Sequence, residues 1–408
     1  MTISLRQAIN QVTANQLCTG CGACARLADS VDMELRDGYL RPQLSALTQT
    51  EDADPQLVAE FRRQCPGLVV RSAPRGPSML DDVVVGRHRR VWQGHSTDEE
   101  IRHAGSSGGV LTGLASWLLS SGRARRVFSV AESDTPRRTT VPLQLTTREE
   151  ALAAAGSRYC PASTLAGLPR EGLGRDDVVI AKPCEIAALR AHYPADDAAS
   201  PLLLSFFCAG TPSQDATDDL LSAGGIGPDE PLTSLRYRGN GWPGAFIGVS
   251  ESGQRVEVSY DDSWGKALGP SMQWRCKLCA DGVGESADLV CADYWEADER
   301  GYPVFEDGDG RSAIVARTQR GERLVATALQ AGAIDAEPLD ASALAAVQPG
   351  QRGKRTQMFS RLLGTLVAGR RIPHYRGFGL LRKERPTPKT LYQRTRATWG
   401  RAKRLPRR

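Results

Sequence analysis

Cys18, Cys21 and Cys24 stand three positions apart in Cys18-Thr19-Gly20-Cys21-Gly22-Ala23-Cys24, and Cys65-Pro66 follows downstream. C-x2-C-x2-C with a distant C-P is the spacing of thiolates that hold a [4Fe–4S] cluster. The two-residue gaps let one tight loop aim successive thiolates at the corners of a cube. Gly20 and Gly22 supply backbone freedom, and Pro66 fixes the chain as it leaves. Zinc more often takes two separated pairs, and a disulfide framework needs an oxidising compartment and usually a short chain. The spacing therefore ranks iron–sulfur ahead of both.

A second set starts at Cys276-Lys277-Leu278-Cys279 and continues at Cys291. Three spaced thiols predict a second cluster that lacks one ligand. Cys184 or Cys208 is the expected fourth, with Asp281, Asp288 and Asp293 as alternative oxygen ligands. Cys184 lies in Ala181-Lys182-Pro183-Cys184-Glu185-Ile186, at the end of one expected strand. Cys208, in Phe207-Cys208-Ala209-Gly210-Thr211-Pro212-Ser213, follows the next. A thiol beside Lys182 at a helix start is expected to be acidified. For Cys184 three roles stay open: cluster ligand, redox thiol or buried residue.

Gly105-Ser106-Ser107-Gly108-Gly109 opens an apolar helix and reads as an anion site. Unpaired helix amides, hydroxyl donors and the helix dipole suit a phosphate or pyrophosphate, and Arg102 and His103 lie just upstream. An ordinary serine cap with a glycine turn explains the pattern almost as well. In Gly156-Ser157-Arg158-Tyr159-Cys160-Pro161, Arg158 could hold a phosphate and Tyr159 could stack on a ring. Lys182, Arg158 and Arg238 are the cations suited to gripping an acidic ligand. Trp242, Trp264 and Trp274 could stack on one. The histidines (His88, His95, His103, His192, His374) show no ligand spacing, and His103 and His192 are candidates for proton delivery.

Short apolar runs supply the frame that must hold these residues. Residues 127–130, 178–181 and 202–207 read as buried strands, 110–119 and 185–191 as helices, and 312–335 as one more strand and helix. This alternation predicts an α/β core in a mixed α+β chain. Residues 33–42 read as a hairpin about Asp37-Gly38, and 70–90 as a linker rich in Pro, Arg and Gly.

Charge divides the chain. Residues 352–408 hold 18 Lys and Arg and one acid, Glu384. The 52 bases less these 18 leave 34, against 46 of the 47 acids, so an acidic body carries a basic tail. With Pro386, Pro388 and Pro406 the tail reads as flexible, drawn to anionic lipid, nucleic acid or an acidic partner, or simply solubilising. Residues 359–367, followed by Arg370 and Arg371, could lie on an anionic bilayer. No stretch is apolar enough to span a membrane, and residues 1–17 lack the apolar core of a secretory signal. A cytoplasmic protein, peripheral to the membrane if the tail binds lipid, is the expectation.

The motifs come in a telling order: Ser106-Ser107-Gly108-Gly109, Gly156-Ser157-Arg158-Tyr159, Pro183-Cys184, Cys208-Ala209-Gly210-Thr211-Pro212-Ser213, Tyr237-Arg238-Gly239-Asn240-Gly241-Trp242-Pro243-Gly244, then Cys276-x2-Cys279 and Cys291-Ala292-Asp293-Tyr294-Trp295. The series resembles the beta-subunit family of coenzyme F420 hydrogenases and dehydrogenases, which includes 7-hydroxymethyl chlorophyll a reductase, over about residues 15–340. It departs at Ala181-Lys182-Pro183-Cys184-Glu185, where that family would show glycine before the proline and glutamine after the cysteine.

The resemblance implies an iron–sulfur flavoprotein oxidoreductase that binds FAD and about two [4Fe–4S] clusters. FAD would exchange a hydride with an organic substrate or coenzyme F420, and the clusters would relay single electrons. Ser106, Ser107, Gly108, Gly109, Arg158 and Tyr159 become candidate FAD contacts. Cys276, Cys279 and Cys291, completed by Cys208 or Cys184, become an inner cluster, and Cys18, Cys21, Cys24 and Cys65 an outer, ferredoxin-like one. Lys182, Cys184 and His103 are the catalytic candidates. The implied organisation is an iron–sulfur segment at 1–75, the family's N-terminal domain at 85–165, its C-terminal domain at 166–350 and the basic tail at 351–408. A ferredoxin or other redox protein is the expected partner. The alternatives are an electron-transfer subunit without its own substrate and, less favoured, a zinc module holding nucleic acid through the tail.

Overall fold

The computed structural model describes residues 3–73, 76, 78–304 and 308–406. Its frame is an eight-stranded mixed sheet. The strands in chain order are β1 (Arg90–Ser96), β2 (Arg126–Glu132), β3 (Thr140–Leu145), β4 (Asp177–Ile180), β5 (Leu202–Phe206), β6 (Leu289–Tyr294), β7 (Arg311–Ala316) and β8 (Ile334–Pro338). Across the sheet they run β8-β1-β7-β6-β5-β4-β2-β3. β1, β6, β5, β4 and β2 point one way, and β8, β7 and β3 run against them.

Both faces are covered, which is why the central strands read as unbroken apolar runs. Val178, Leu202, Leu204, Leu289, Cys291 and Ile314 lie under α1 (Val110–Ser120) and α3 (Gln319–Gln330). Val179, Leu203, Val290, Ala313 and Val315 face α2 (Pro183–Leu189), the helix Ala341–Ala346, Cys21 and Ala23. Leu203, Leu204, Leu289 and Val290 are wholly enclosed. Each such side chain contributes about 1.5–3 kcal/mol through loss of contact with water. The expected strands and helices of the core are present. The sequence did not announce the separate three-stranded sheet of Leu232–Arg236, Ala245–Ser250 and Arg255–Ser259, nor the edge strand β8.

The first cysteines belong to a layer of their own. The helix Leu5–Ala14 is closed by a Ser4–Gln7 capping box. Next comes the expected hairpin, Asp32–Arg36 against Tyr39–Gln43, turning at Asp37 and Gly38, both with positive φ. The helix Pro55–Gln64 ends at Cys65. The segment 70–90, expected as a linker, instead holds parts of three short strands: Val69–Arg71, Leu80–Asp82 and Gly86–His88. Pro74, Arg75 and Pro77 within it lie outside the described residues.

The basic tail differs most from expectation. It folds into α4 (Met358–Val367), α5 (Pro388–Lys403), two shorter helices and a strand, His374–Arg376, that pairs in parallel with Val69–Arg71. Met358, Leu362, Ala368, Phe378 and Ala402 join Leu5, Ile9, Phe61, Cys65 and Trp274 in one apolar core. Buried apolar area thus outweighs the tail's mutual repulsion. Ion pairs and polar bonds help as well: the tail's Arg355 is buried against Glu285 at 2.5 Å, and Arg87 of the body donates to the tail's Gly377 carbonyl at 2.6 Å. Of the stretch expected on a bilayer, only Leu366 and Val367 remain as exposed large apolar side chains.

Candidate functional site

Cys18, Cys21, Cys24 and Cys65 line one pocket with Ile9, Val12, Phe61, Met33 and Pro42. Gly22 makes the approach possible. Its φ is +81°, and a Cβ there would sit 2.6 Å from the Ala166 amide. Burial raises the Cys24 thiol well above its ordinary range, and Cys21, Cys18 and Cys65 add to the effect. Burial likewise pushes Cys21 up to about 11.

A second set forms differently from expectation. Cys208 follows β5, its amide on the Gly282 carbonyl at 2.7 Å, and Cys276 Sγ accepts from the Thr211 amide at 3.3 Å. Burial, then Cys276, with Cys279 further down, pushes the Cys208 thiol up to about 12. Burial and Glu185 also raise Cys184, outweighing Lys182, so this thiol is not acidified as the sequence suggested. The structure places Cys208 within electrostatic reach of Cys276 and Cys279, and Cys184 within reach of Cys21 and of Cys208. It does not bring Cys291 to them: that side chain is on the opposite face of the sheet, among Leu204, Leu289 and Ile314. The aspartates are committed elsewhere. Asp293 pairs with Arg238, Asp288 accepts from Thr318 and the Leu203 amide, and Asp281 accepts from the Glu285 amide.

Thiols pushed upward by burial and by one another cannot all be thiolates without an added cation, as metal ligands require. Among the described residues no three His, Cys, Asp or Glu side chains converge to hold a single metal ion. Four thiols are the donor set a [4Fe–4S] cluster takes, one thiolate to each iron. Such sulfur-only sets have the ligand chemistry of an iron–sulfur cluster. Cys184 joins the sets, lying within electrostatic reach of Cys21 and of Cys208. Burial would lower the Lys182 ammonium, but Glu185 and the thiols of Cys184 and Cys208 hold it above its ordinary range. The ammonium donates to Glu185 at 2.8 Å and to the Ala162 carbonyl at 2.7 Å.

The glycine-rich motifs converge further along the carboxyl edge of the sheet, where ligands of α/β proteins bind. Ser106 Oγ accepts from the Ser157 amide at 2.6 Å, and the Gly241 amide donates to the His103 carbonyl at 2.9 Å. No side chain caps the amino end of α1, which starts from Gly109 at φ +69°. Ser107 and Gly108 bond to the Arg311 carbonyl and Ser312 Oγ. Arg158 is committed to Thr140 and to the carbonyls of Leu235 and Thr139, so it ties strands together instead of facing a ligand. Arg238, 1% exposed, pairs with Asp293, stands over the rings of Trp242 and Tyr260 at 4.6 Å each and leaves Nη2 without a partner. Tyr159 meets Trp264 at 4.9 Å, and Trp242 stacks on Trp295. Trp274 lies in the N-terminal core, away from these rings. His103 is exposed beside the loop. His192 stands next to the first thiol set, 2.9 Å from Gln64 Oε1.

A family model described as coenzyme F420 hydrogenase/dehydrogenase, beta subunit N-term, matches residues 91–168, and one described as its C terminus matches 175–342. The chain is 26% identical over 268 residues to coenzyme F420 hydrogenase subunit beta of Methanococcus voltae, covering 62% of this chain and 86% of that protein. It is 23% identical over 244 residues to F420-dependent formate dehydrogenase 1 subunit beta of Methanococcus maripaludis, covering 58% of each. A chain of the F420-reducing [NiFe] hydrogenase complex from Methanosarcina barkeri superimposes with a TM-score of 0.49 at 22% identity, covering 68% of this chain and 96% of that one.

Proposed function

Because this chain belongs to the coenzyme F420 hydrogenase/dehydrogenase beta-subunit family, we propose that it is an iron–sulfur flavoprotein oxidoreductase that holds two [4Fe–4S] clusters and FAD. The observation that carries this reading is the pair of four-cysteine sets, joined at Cys184, beside the converging loops. Cys18, Cys21, Cys24 and Cys65 hold one cluster, and Cys184, Cys208, Cys276 and Cys279 hold the other. FAD, when bound, supplies the conversion between two-electron exchange with an organic substrate or coenzyme F420 and one-electron exchange with the clusters.

The chain's own residues position that chemistry. The uncapped amides of α1 suit a pyrophosphate, with Arg102 nearby. Ser106, Ser107, Gly108 and Gly109 shape the loop that presents those amides. The unpartnered Nη2 of Arg238 offers a donor to an anionic or carbonyl group, and Tyr159, Trp264, Tyr260 and Trp242 offer ring faces. Lys182, held protonated, balances thiolate charge at Cys184 and Cys208.

The relatives are named as subunits, and we place this chain likewise against a redox partner such as a ferredoxin. Among the described residues no helix is long and apolar enough to cross a membrane. A cytoplasmic setting, where thiols stay reduced, suits the sites. A second reading, an electron-transfer subunit with no substrate of its own, draws on those same subunit names.

The test is anaerobic purification with iron, sulfide and flavin quantitation. About eight irons and one FAD per chain are expected. Zinc without flavin would overturn the reading. Turnover of a small organic acceptor or F420 by the isolated chain would eliminate the subunit-only alternative.

A further inference from the structure

Four arginines are among the largest fully buried side chains: Arg238, Arg275, Arg317 and Arg355. A buried cation is costly unless an anion compensates it. Arg238 has Asp293 and Arg355 has Glu285. Arg317 donates to three carbonyls, with Glu285 and Asp281 in its field. Arg275 differs. Among the described residues no carboxylate pairs with it, its bonds run to the Pro66 carbonyl at 2.7 Å and the Tyr375 hydroxyl at 2.9 Å, and its Nε has no partner.

The groups within electrostatic reach of Arg275 are Tyr375 and the thiols of Cys279, Cys184 and Cys276. Its position is also specific. Pro66 follows Cys65 of the first set, and Cys276 of the second follows Arg275 itself, so one guanidinium spans the two. Tyr375 holds it from outside and donates to the Leu278 carbonyl at 2.5 Å.

We propose that Arg275 is the resident counterion of the second cluster, a positioning residue that favours the cluster's reduced state. The inference rests on the two-cluster reading above. Four thiolates outweigh the positive charge of an iron–sulfur core, and the excess grows by one on reduction. A fixed cation in a dry site stabilises the more negative state more strongly. Arg275 thereby favours arrival of an electron at Cys184, Cys208, Cys276 and Cys279, and its bond to Pro66 holds the two cluster loops in register.

The test is an anaerobic redox titration of the full-length holoprotein, followed by electron paramagnetic resonance. The wave of the second cluster is identified as the one that Cys276→Ser abolishes. Arg275→Gln is expected to lower that midpoint by at least a tenfold change in the one-electron equilibrium, about 59 mV, with iron content unchanged. Arg275→Lys, which restores the charge, is expected to remain within threefold of the parent. An unmoved midpoint in Arg275→Gln, or equal lowering in Arg275→Lys, overturns the proposal. If Arg275→Gln does not load iron, Arg275→Met keeps the stem's volume and takes its place. Should neither load while Arg275→Lys does, the cluster needs the cation there at all, which supports the counterion role. Should Arg275→Lys fail too, the bond to Pro66 matters and the counterion role falls. A parent protein without iron would refute the two-cluster reading itself, which is a separate result.

Discussion

Replacing single cysteines separates true ligands from a residue that merely shares their spacing. Cys208→Ser and Cys184→Ser are each expected to reduce iron from about eight to about four per chain, whereas Cys291→Ser keeps about eight. Iron analysis with the visible spectrum checks this. The N-terminal set was legible because one loop carries three of its thiols. The second was only half legible, since the thiols proposed for it come from two strand ends and a distant loop. Cys291 misled because it follows Cys279 at a suggestive interval. Alternation along β6 then decides its fate: Val290 and Ala292 take one face, and Cys291 takes the other with Leu289. Arg158 misled in a similar way, since in the folded chain its donors are spent on backbone carbonyls and Thr140. Arg275 gave no signal, because its significance depends on Pro66 and Tyr375, both far away in sequence.

Among the elements, the tail shows how composition can hide pattern. Its surplus of bases suggested a solvated segment, yet Met358, Leu362 and Thr365 recur at helical spacing and are buried. The buried ion pair between Arg355 and Glu285 fastens the tail to the second thiol loop. Arg355→Ala, which strands Glu285, is expected to cost about 3–5 kcal/mol, measured as a lower urea midpoint. Burial alone would raise the Glu285 carboxyl, but Arg355, Lys383 and Arg317 hold it down to about 2, with Ser72 donating and Asp281 close by. A carboxyl depressed on folding adds stability in full above its unfolded value of about 4.5, and the gain disappears as pH falls toward 2. In Glu285→Gln the urea midpoint at neutral pH is therefore expected to drop, and the loss between pH 4.5 and 2 to become shallower.

At the scale of the whole molecule the sheet was the readable part. Strands buried on both faces have to be continuous apolar runs, and 178–181 and 202–207 announced β4 and β5. The order of the strands, and the turn of β7 and β8 against their neighbours, depend on pairings that no local pattern encodes. Leu204→Ala at the sheet's centre is expected to lower stability by about 2–5 kcal/mol while leaving the thiol sets intact, so denaturation shifts and iron content does not. Truncation before residue 349 should do the reverse of a surface trim. It exposes Phe61, Trp274 and Cys65, and is expected to give insoluble or iron-poor protein.

The parallel pairing of His374–Arg376 with Val69–Arg71 carries a further consequence, one of timing. Tyr375, which roofs Arg275 and the loop of Cys276 and Cys279, leaves the ribosome about a hundred residues after the thiols it covers. Chain regions emerge in order, and long-range pairings close last. Both thiol sets therefore stay uncovered on one side until the tail is made, and in the two-cluster reading proposed above iron would have its widest access in that interval. On that reading the order of synthesis would itself favour loading of the metal.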